Sequence, residues 1–455
     1  MQCLCARARW LAGFSWALIL WGGAFAHAQA AKPGHLGDPG QQLDSLMALA
    51  RRESPAVLAA EARLRAARAN VGPAGAFADP MLMAGVVNLP LGSPGFRDEM
   101  AMKMIGVEQT LPFPGKRGLR RAVSDHEVDM AEAELEQVRR EAARDAAGAY
   151  LELALADTLE RLSQRQHVLL LTVARTAQAS YAVGRGGQEE PLRIQTELVR
   201  LSGEVTALHA ERVRALARLN ALLGRDASLP IGVTGYPRRF QKAVDPVGTT
   251  AARFVDTTLG SPAAASPLPP ADTFRRTVLD SSPMILAHLA ELGAQGARAD
   301  LTAREASPDP TLSLQYGQRN GLTDMVSAGV RLPIPLWGAR QQRRRAGAER
   351  ATLEALEHEH HRMAAELEAE VVDLAQTAEL HRTRLALYQT GVLPRARAAA
   401  EAALAGYRTG RTSFQGVLDT YTALYRDEAD AVGLLTEFGK VVIALEALVG
   451  REVVS

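Results

Sequence analysis

Apolar residues fall at every second position in Thr311-Leu312-Ser313-Leu314-Gln315-Tyr316 and again in Val326-Ser327-Ala328-Gly329-Val330-Arg331-Leu332. Such a period predicts a pair of strands with Leu312, Leu314, Tyr316, Val326, Ala328, Val330 and Leu332 on one face. The opposite face is mostly polar or small. This pattern fits a half-buried sheet in water, and it equally fits a barrel wall with lipid outside and water inside. Two hairpins per chain supply about four strands, whereas a membrane barrel needs at least about 8 to close. A barrel would therefore need several chains, and three would give about twelve strands.

Elsewhere the pattern is helical. Lys116 to Val183 contains no proline and is dominated by Ala, Leu, Glu and Arg, which predicts one helix of about 100 Å at a rise of 1.5 Å per residue. The stretch from Gly338 to Tyr407 reads alike, with a kink or break predicted at Gly391 and Pro394. Gln188 to Leu223 and Ser413 to Val449 read as return helices, closed by Gly224 and Gly450. Helices this long cannot be the inside of a compact globule.

The chain is also duplicated. Tyr181-Ala182-Val183-Gly184-Arg185 returns as Tyr407-Arg408-Thr409-Gly410-Arg411, and Leu222-Leu223-Gly224-Arg225 as Leu448-Val449-Gly450-Arg451. Ser54-Pro55 pairs with Ser282-Pro283, Asp79-Pro80 with Asp309-Pro310, and Gly106 to Arg117 with Gly329 to Arg340. Each repeat runs helix, two strands, long helix, tip, helix, which is a tandem copy of a domain-sized unit rather than a solenoid of short periods. The expected organisation is a leader at 1–28, a first repeat at 29–227 with its β-hairpin at about 80–112, an irregular connector at 228–271, and a second repeat at 272–455 with its hairpin at about 310–335.

The leader reads as an export signal: Arg7 and Arg9, an apolar stretch from Leu11 to Phe25, then Ala26-His27-Ala28 and Ala28-Gln29-Ala30 as cleavage sites. Cys3 and Cys5, the chain's 2 cysteines, lie within the leader before its apolar stretch, so the mature protein is expected to carry no disulfide and no thiolate chemistry. A balance of 52 basic against 51 acidic residues gives no footprint for nucleic acid. Beyond the leader no apolar run reaches the ~18 residues of a transmembrane helix, so any crossing is by strands.

The duplicated Tyr-x-x-Gly tips, the stretch from Gly410 to Asp419, and the strand exits Gln109-Thr110-Leu111-Pro112-Phe113-Pro114-Gly115-Lys116-Arg117 and Leu332-Pro333-Ile334-Pro335-Leu336-Trp337-Gly338-Ala339-Arg340 together resemble the TolC-type outer membrane efflux family. The resemblance covers about Leu43 to Arg451. It implies a mainly α chain with a β-barrel portion: a homotrimer whose twelve-stranded barrel in the outer membrane continues into a periplasmic tunnel of helical hairpins. The implied partners are a periplasmic adaptor (membrane fusion protein), an inner membrane pump of the resistance-nodulation-division type, and outer membrane lipid. No catalysis and no cofactor are implied. A periplasmic coiled-coil scaffold would share the helices, but gives no reason for the alternating strands.

By the same resemblance, Val183, Gly184 and Arg185 and Thr409, Gly410, Arg411, Thr412 and Ser413 are tips that meet the adaptor; glycines there also serve simply to end helices. Tyr407 matches a tyrosine that holds the closed state. Asp419 matches a carboxylate that becomes a ring of three under threefold symmetry, and it also reads as an ordinary solvated aspartate. Gly416 departs from the family pattern, which has a second acidic residue there. Aligning the first hairpin on the second sends Met81, Met83, Met102, Met104 and Met325 to the polar face, hence toward a lumen. Thioethers suit soft Cu(I), as does the Pro-Phe-Pro-Gly-Lys exit's resemblance to the heavy-metal branch, although methionine also fills gaps. Glu357-His358-Glu359-His360-His361 lacks zinc-protease spacing, with Arg362 where a histidine would stand, and reads as a solvated helix face.

Overall fold

The computed structural model describes residues 39–89, 99–182, 187, 189–232, 235–242, 271–334 and 338–453. The leader at 1–28 and the tip residues Val183, Gly184 and Arg185 lie outside them, as does the connector from 243 to 270.

The first repeat opens with α1 (Pro39–Glu53), which turns Leu43, Leu46 and Ala50 inward at helical spacing. Ser54 then breaks the helix, and α2 (Pro55–Ala74) restarts with proline in its first turn, where a missing N–H is tolerated. Two strands follow, β1 (Met81–Val87) and β2 (Met102–Thr110). The proline-free run forms α3 (Lys116–Ala182), 67 residues without interruption, and α4 (Glu189–Leu222) returns along it.

The second repeat starts with α6 (Ala271–Ser281), after the short α5 (Arg238–Lys242) of the connector. It continues through α7 (Pro283–Arg304), again entered by Ser-Pro, then β3 (Thr311–Arg319) and β4 (Met325–Arg331). Its long helix is divided into α8 (Gly338–Leu387), a π turn at Tyr388–Val392, and α9 (Leu393–Arg408). The break expected from Gly391 and Pro394 is thus a local widening of the spiral: proline cannot donate to the preceding turn, and the Leu393 N–H reaches back to the Tyr388 carbonyl instead. α10 (Phe414–Val449) begins with the Ser413 hydroxyl accepting from the Gly416 N–H and ends at Gly450, whose φ of 76° only glycine adopts without strain.

The strands form one antiparallel sheet in the order β1-β2-β3-β4. The helices above it keep that order, with α2 beside α3, α3 beside α7 and α7 beside α8. Register settles the faces. Leu82 pairs with Val107, Val107 with Leu314, and Leu314 with Ala328. That face carries Leu82, Ile105, Val107, Leu312, Leu314, Tyr316, Val326 and Val330, all exposed.

The two repeats are sewn together where the sheet meets the helices. Lys116 Nζ, almost fully buried, lies 2.7 Å from both Asp309 Oδ1 and the Ser307 carbonyl. The Phe113 N–H donates to the same carboxylate at 2.7 Å.

One expectation needs correction. The connector at 228–271 reads as irregular and outside the core, yet its described end packs into the middle of the main apolar cluster. Tyr236, just before α5, and Arg239 and Phe240 within it are the anchors. Phe240 is fully buried edge-on to Phe438, the Tyr236 hydroxyl meets Thr436 Oγ1 at 2.7 Å, and Arg239 reaches both oxygens of Glu446 at 3.0 and 3.1 Å. Three anchoring residues in a segment otherwise rich in proline and threonine leave too short a pattern to read as an element.

Burial alone would raise the Asp309 pKa, but the hydrogen bonds from Lys116 and Phe113 and the charges of Lys116 and Arg120 outweigh it and hold the carboxyl below its ordinary value. A depressed carboxylate contributes stability above its unfolded value, about 3.9, that is lost as pH falls through the lower folded one. Asp309→Ala strands the Lys116 ammonium and is expected to cost on the order of 3 kcal/mol. Asp79→Ala, at its exposed repeat mate, is expected to cost less than about 0.5 kcal/mol. Thermal melts of the two variants in detergent, at neutral pH, check the difference.

Candidate functional site: the hairpin tips and the inner face of the sheet

At the second tip the chain reverses within a few residues. The Gly410 N–H bonds the Tyr407 carbonyl at 3.0 Å, the Arg411 N–H bonds the Gly406 carbonyl at 2.8 Å, and Gly410 adopts a φ of 75°. Gly406 is also required: a Cβ there would lie 2.2 Å from Thr412 Oγ1. Thr409, Gly410, Arg411 and Ser413 are exposed, and Thr412 is half-buried. The first tip, Val183, Gly184 and Arg185, falls outside the described residues.

Just above the turn, Tyr407 packs edge-on to Phe414 with centroids 6.2 Å apart, in a cluster with Val173, Ala177, Ile194 and Val417. Its hydroxyl donates to Glu190 of α4 at 3.4 Å. Two more ties join α4 to α10. Arg193 Nη1 reaches Gln415 Oε1 at 2.9 Å, and the Tyr425 hydroxyl bonds Glu204. Asp419 is exposed and accepts from Gln415 Nε2 at 2.7 Å, so it is linked through that amide to Arg193. Asp419 therefore belongs to an Arg-Gln-Asp chain within one copy.

Burial and the Glu190 charge push the Tyr407 phenol up. Burial, then the hydrogen bond to Glu204 and its charge, push Tyr425 up to about 12. Both phenols stay protonated donors over the physiological range. The sequence holds a trace of these ties: Glu190, Glu197, Glu204 and Glu211 recur at heptad spacing on α4, and Phe414, Leu418, Tyr421 and Tyr425 line one face of α10. That Arg193 meets Gln415 has no such trace, because neither residue belongs to a periodic series.

The second candidate region is the sheet face opposite the apolar one. Met81 pairs with Glu108, Met83 with Gly106, Gly85 with Met104, Val87 with Met102, and Gly317 with both Met104 and Met325. All five methionines thus share the face of Glu108, Ser313, Gln315, Ser327 and Arg331. Met102 and Met104 lean over Gly317, which has no side chain to fill the space: a Cβ there would lie 3.6 Å from Met102 Sδ and 3.9 Å from Met104 Cγ. Arg319 Nη1 sits 3.2 Å from Met325 Sδ, and the nearly buried Glu108 bonds Arg331 at 3.1 Å.

Glu357, His358, Glu359 and His361 are exposed, as a solvated helix face requires, and His360 alone is half-buried. His360 stacks on the buried His288 of α7, with centroids 5.6 Å apart and planes 7° from parallel. Burial and the neighbouring His288 and His361 push its pKa down. Among the described residues, no group of three or more His, Cys, Asp or Glu could hold a metal ion.

The family model for "Outer membrane efflux protein" matches residues 46–225. The structure superposes on the outer-membrane channel OprN with a TM-score of 0.72 at 20% identity, covering 90% of each chain. It superposes equally on CusC, at a TM-score of 0.72 and 15% identity over 91% of this chain and 93% of CusC. The first repeat thus matches the outer membrane efflux proteins in sequence, and about nine-tenths of the chain shares the fold of these solved channels. No described helix is long and apolar enough to cross a membrane. Among curated proteins, the chain is 24% identical over 188 residues to the "Cobalt-zinc-cadmium resistance protein CzcC" of Cupriavidus metallidurans (strain CH34). The aligned segment covers 41% of this chain and 44% of CzcC, so the chain spans under half of that relative's length.

Cutting the ties between α4 and the second hairpin, by Tyr407→Phe, Tyr425→Phe and Arg193→Ala together, is expected to speed amide exchange about tenfold in 189–205 and 414–425. Exchange in 130–155, deep in the main cluster, is expected to be unchanged. Raising the pH above the phenols' ordinary value of about 10 toward 12 weakens the same two tyrosine ties in the unmodified protein, because a raised pKa contributes stability that is lost as pH climbs through it. Exchange mass spectrometry reads both.

Proposed function

We propose that this protein is the outer membrane duct of a tripartite efflux assembly, in which three copies close a twelve-stranded barrel and a tunnel of helical hairpins. It passes substrates delivered by an inner membrane pump of the resistance-nodulation-division type through a periplasmic adaptor. The observation that carries this reading is the four-stranded sheet: one face bears exposed Leu314, Val326 and Val330, and both outer strands end in unpaired edges. In lipid such edges must be paired, and closing the sheet through further copies does that. A scaffold confined to the periplasm would leave that apolar face in water.

The exposed second tip, Thr409 to Ser413, and its repeat mate at Val183, Gly184 and Arg185 meet the adaptor. Tyr407 and Asp419 belong to the gate, whose resting state is held by the bonds of Tyr407 to Glu190 and of Arg193 to Gln415, and adaptor binding shifts the population toward an open arrangement. The organisation into a leader, two repeats and a connector, with boundaries near 28, 227 and 271, belongs to the same reading.

Heavy-metal cations are the favoured cargo. The match to CzcC and the five methionines on the inner face both support that assignment.

Purified protein is expected to run as a trimer by native mass spectrometry and to conduct ions in planar lipid films; a stable monomer without conductance would overturn the proposal. For the cargo, exchanging Met81, Met83, Met102, Met104 and Met325 for leucine is expected to lower silver and copper tolerance of the host at least fourfold while leaving trimer yield intact. Unchanged tolerance would remove the metal assignment and leave the duct standing.

A further inference from the structure

The duplication is kept in the hydrogen-bond register, and that fixes how two copies must join. The sequence makes Asp79 the mate of Asp309 and Gly106 the mate of Gly329. Carried along the strands, these relations map Met81 onto Thr311 and Glu108 onto Arg331. The structure pairs Met81 with Glu108 in the first hairpin and Thr311 with Arg331 in the second. The two hairpins are therefore the same hairpin, residue for residue, with no slip. Between them lies one seam, β2 on β3, in which Val107 pairs with Leu314 and Met104 with Gly317. Its mate would join β4 to β1, and within one chain these are the two outer strands, separated by β2 and β3.

We infer that β4 of one copy pairs antiparallel with β1 of the next in the register that the duplication dictates: Val330 opposite Ala84, Gly329 opposite Gly85, Ala328 opposite Val86 and Ser327 opposite Val87. These are the images of Val107–Leu314, Gly106–Gln315, Ile105–Tyr316 and Met104–Gly317. The inference rests on the closed multi-copy barrel proposed above and adds the residue-level joint. Faces give an independent check, since a slip of one residue would turn every side chain of one strand to the wrong side. In the dictated register Val330 and Ala328 meet Ala84 and Val86 on the apolar face, while Ser327 meets Val87 beside the methionines. The partner is a second copy of this chain, because no other edge carries the image of the β2–β3 seam.

At the foot of the joint the images diverge. Lys116 maps onto Ala339, so Asp79 of the neighbouring copy has no counterpart to the buried lysine that Asp309 accepts from. The joint between copies keeps the ladder and lacks the clamp.

Disulfide trapping tests the register, because the chain's 2 cysteines, Cys3 and Cys5, both lie in the leader. Directly opposed residues have Cβ atoms about 4.5–5.5 Å apart, within reach of a disulfide after local adjustment, whereas diagonal positions are about 7–8 Å apart. β1 and β4 of one chain are about 14 Å apart, three strand spacings, so any bond formed joins two copies. Full-length protein in membranes, carrying Ala84→Cys with Val330→Cys or Val87→Cys with Ser327→Cys, is expected to give covalent dimers and trimers on mild oxidation. The slipped pair Ala84→Cys with Ala328→Cys and each single-cysteine chain are expected to stay monomeric on a non-reducing gel. Cross-linking of the slipped pair in preference to both opposed pairs would overturn the register, as would failure of both opposed pairs in protein that native mass spectrometry finds trimeric. Protein found monomeric would instead overturn the barrel reading itself.

Discussion

A strand edge in lipid has no water to turn to, and this constraint shapes the molecule. Each unpaired N–H and C=O at β1 or β4 would cost several kcal/mol in hydrocarbon. Four strands cannot curl far enough to pair their own edges. The chain therefore carries a sheet that is incomplete by construction, and its apolar face of Leu82, Val107, Leu314 and Val330 is useful only once the edges are paired. The helices inherit the arrangement. The order α2, α3, α7, α8 repeats that of the strands, so a wall closed at the sheet continues closed below it.

Where wall and tunnel meet, the architecture relies on charge. Lys116 sits nearly without water between Asp309 and the Ser307 carbonyl, binding the exit of one repeat to the start of a strand in the other. Lower down, apolar contact dominates: Tyr150, Leu151, Phe240 and Phe438 fill the central cluster. Nearest the tips a smaller apolar cluster around Ile194, Phe414 and Val417 is joined by polar ties from Tyr407, Arg193 and Tyr425 to the facing helix. Weak, separable bonds at one end of a rigid assembly are what a part that must move requires.

Much of this was legible in the residues. The uninterrupted α3, the break near Gly391 and Pro394, the closing glycines Gly224 and Gly450, and the face shared by five methionines all follow from local pattern and from the duplication. Contacts between residues far apart in sequence left little trace. Arg193 and Gln415 carry no periodic mark, and His360 looks solvated until His288 arrives from another helix. Tyr236 and Phe240 anchor a segment too short to show a period. Asp419 shows the limit most clearly: its bond from Gln415, four residues back, is a local helix pair, whereas the link from Gln415 on to Arg193 crosses between repeats.

The two halves of the chain match at the strands and part company below. From Arg117 to Tyr181 is 64 steps (181 − 117), and from Arg340 to Tyr407 it is 67 (407 − 340). Three additional residues carry a helix about 4.5 Å farther along its axis and leave it about 60° short of a whole turn, with the spiral widened at Tyr388–Val392. In the proposed ring of three chains, the two repeats would match at the sheet and differ along the helices, so the ring would be nearly sixfold at one end and only threefold at the other.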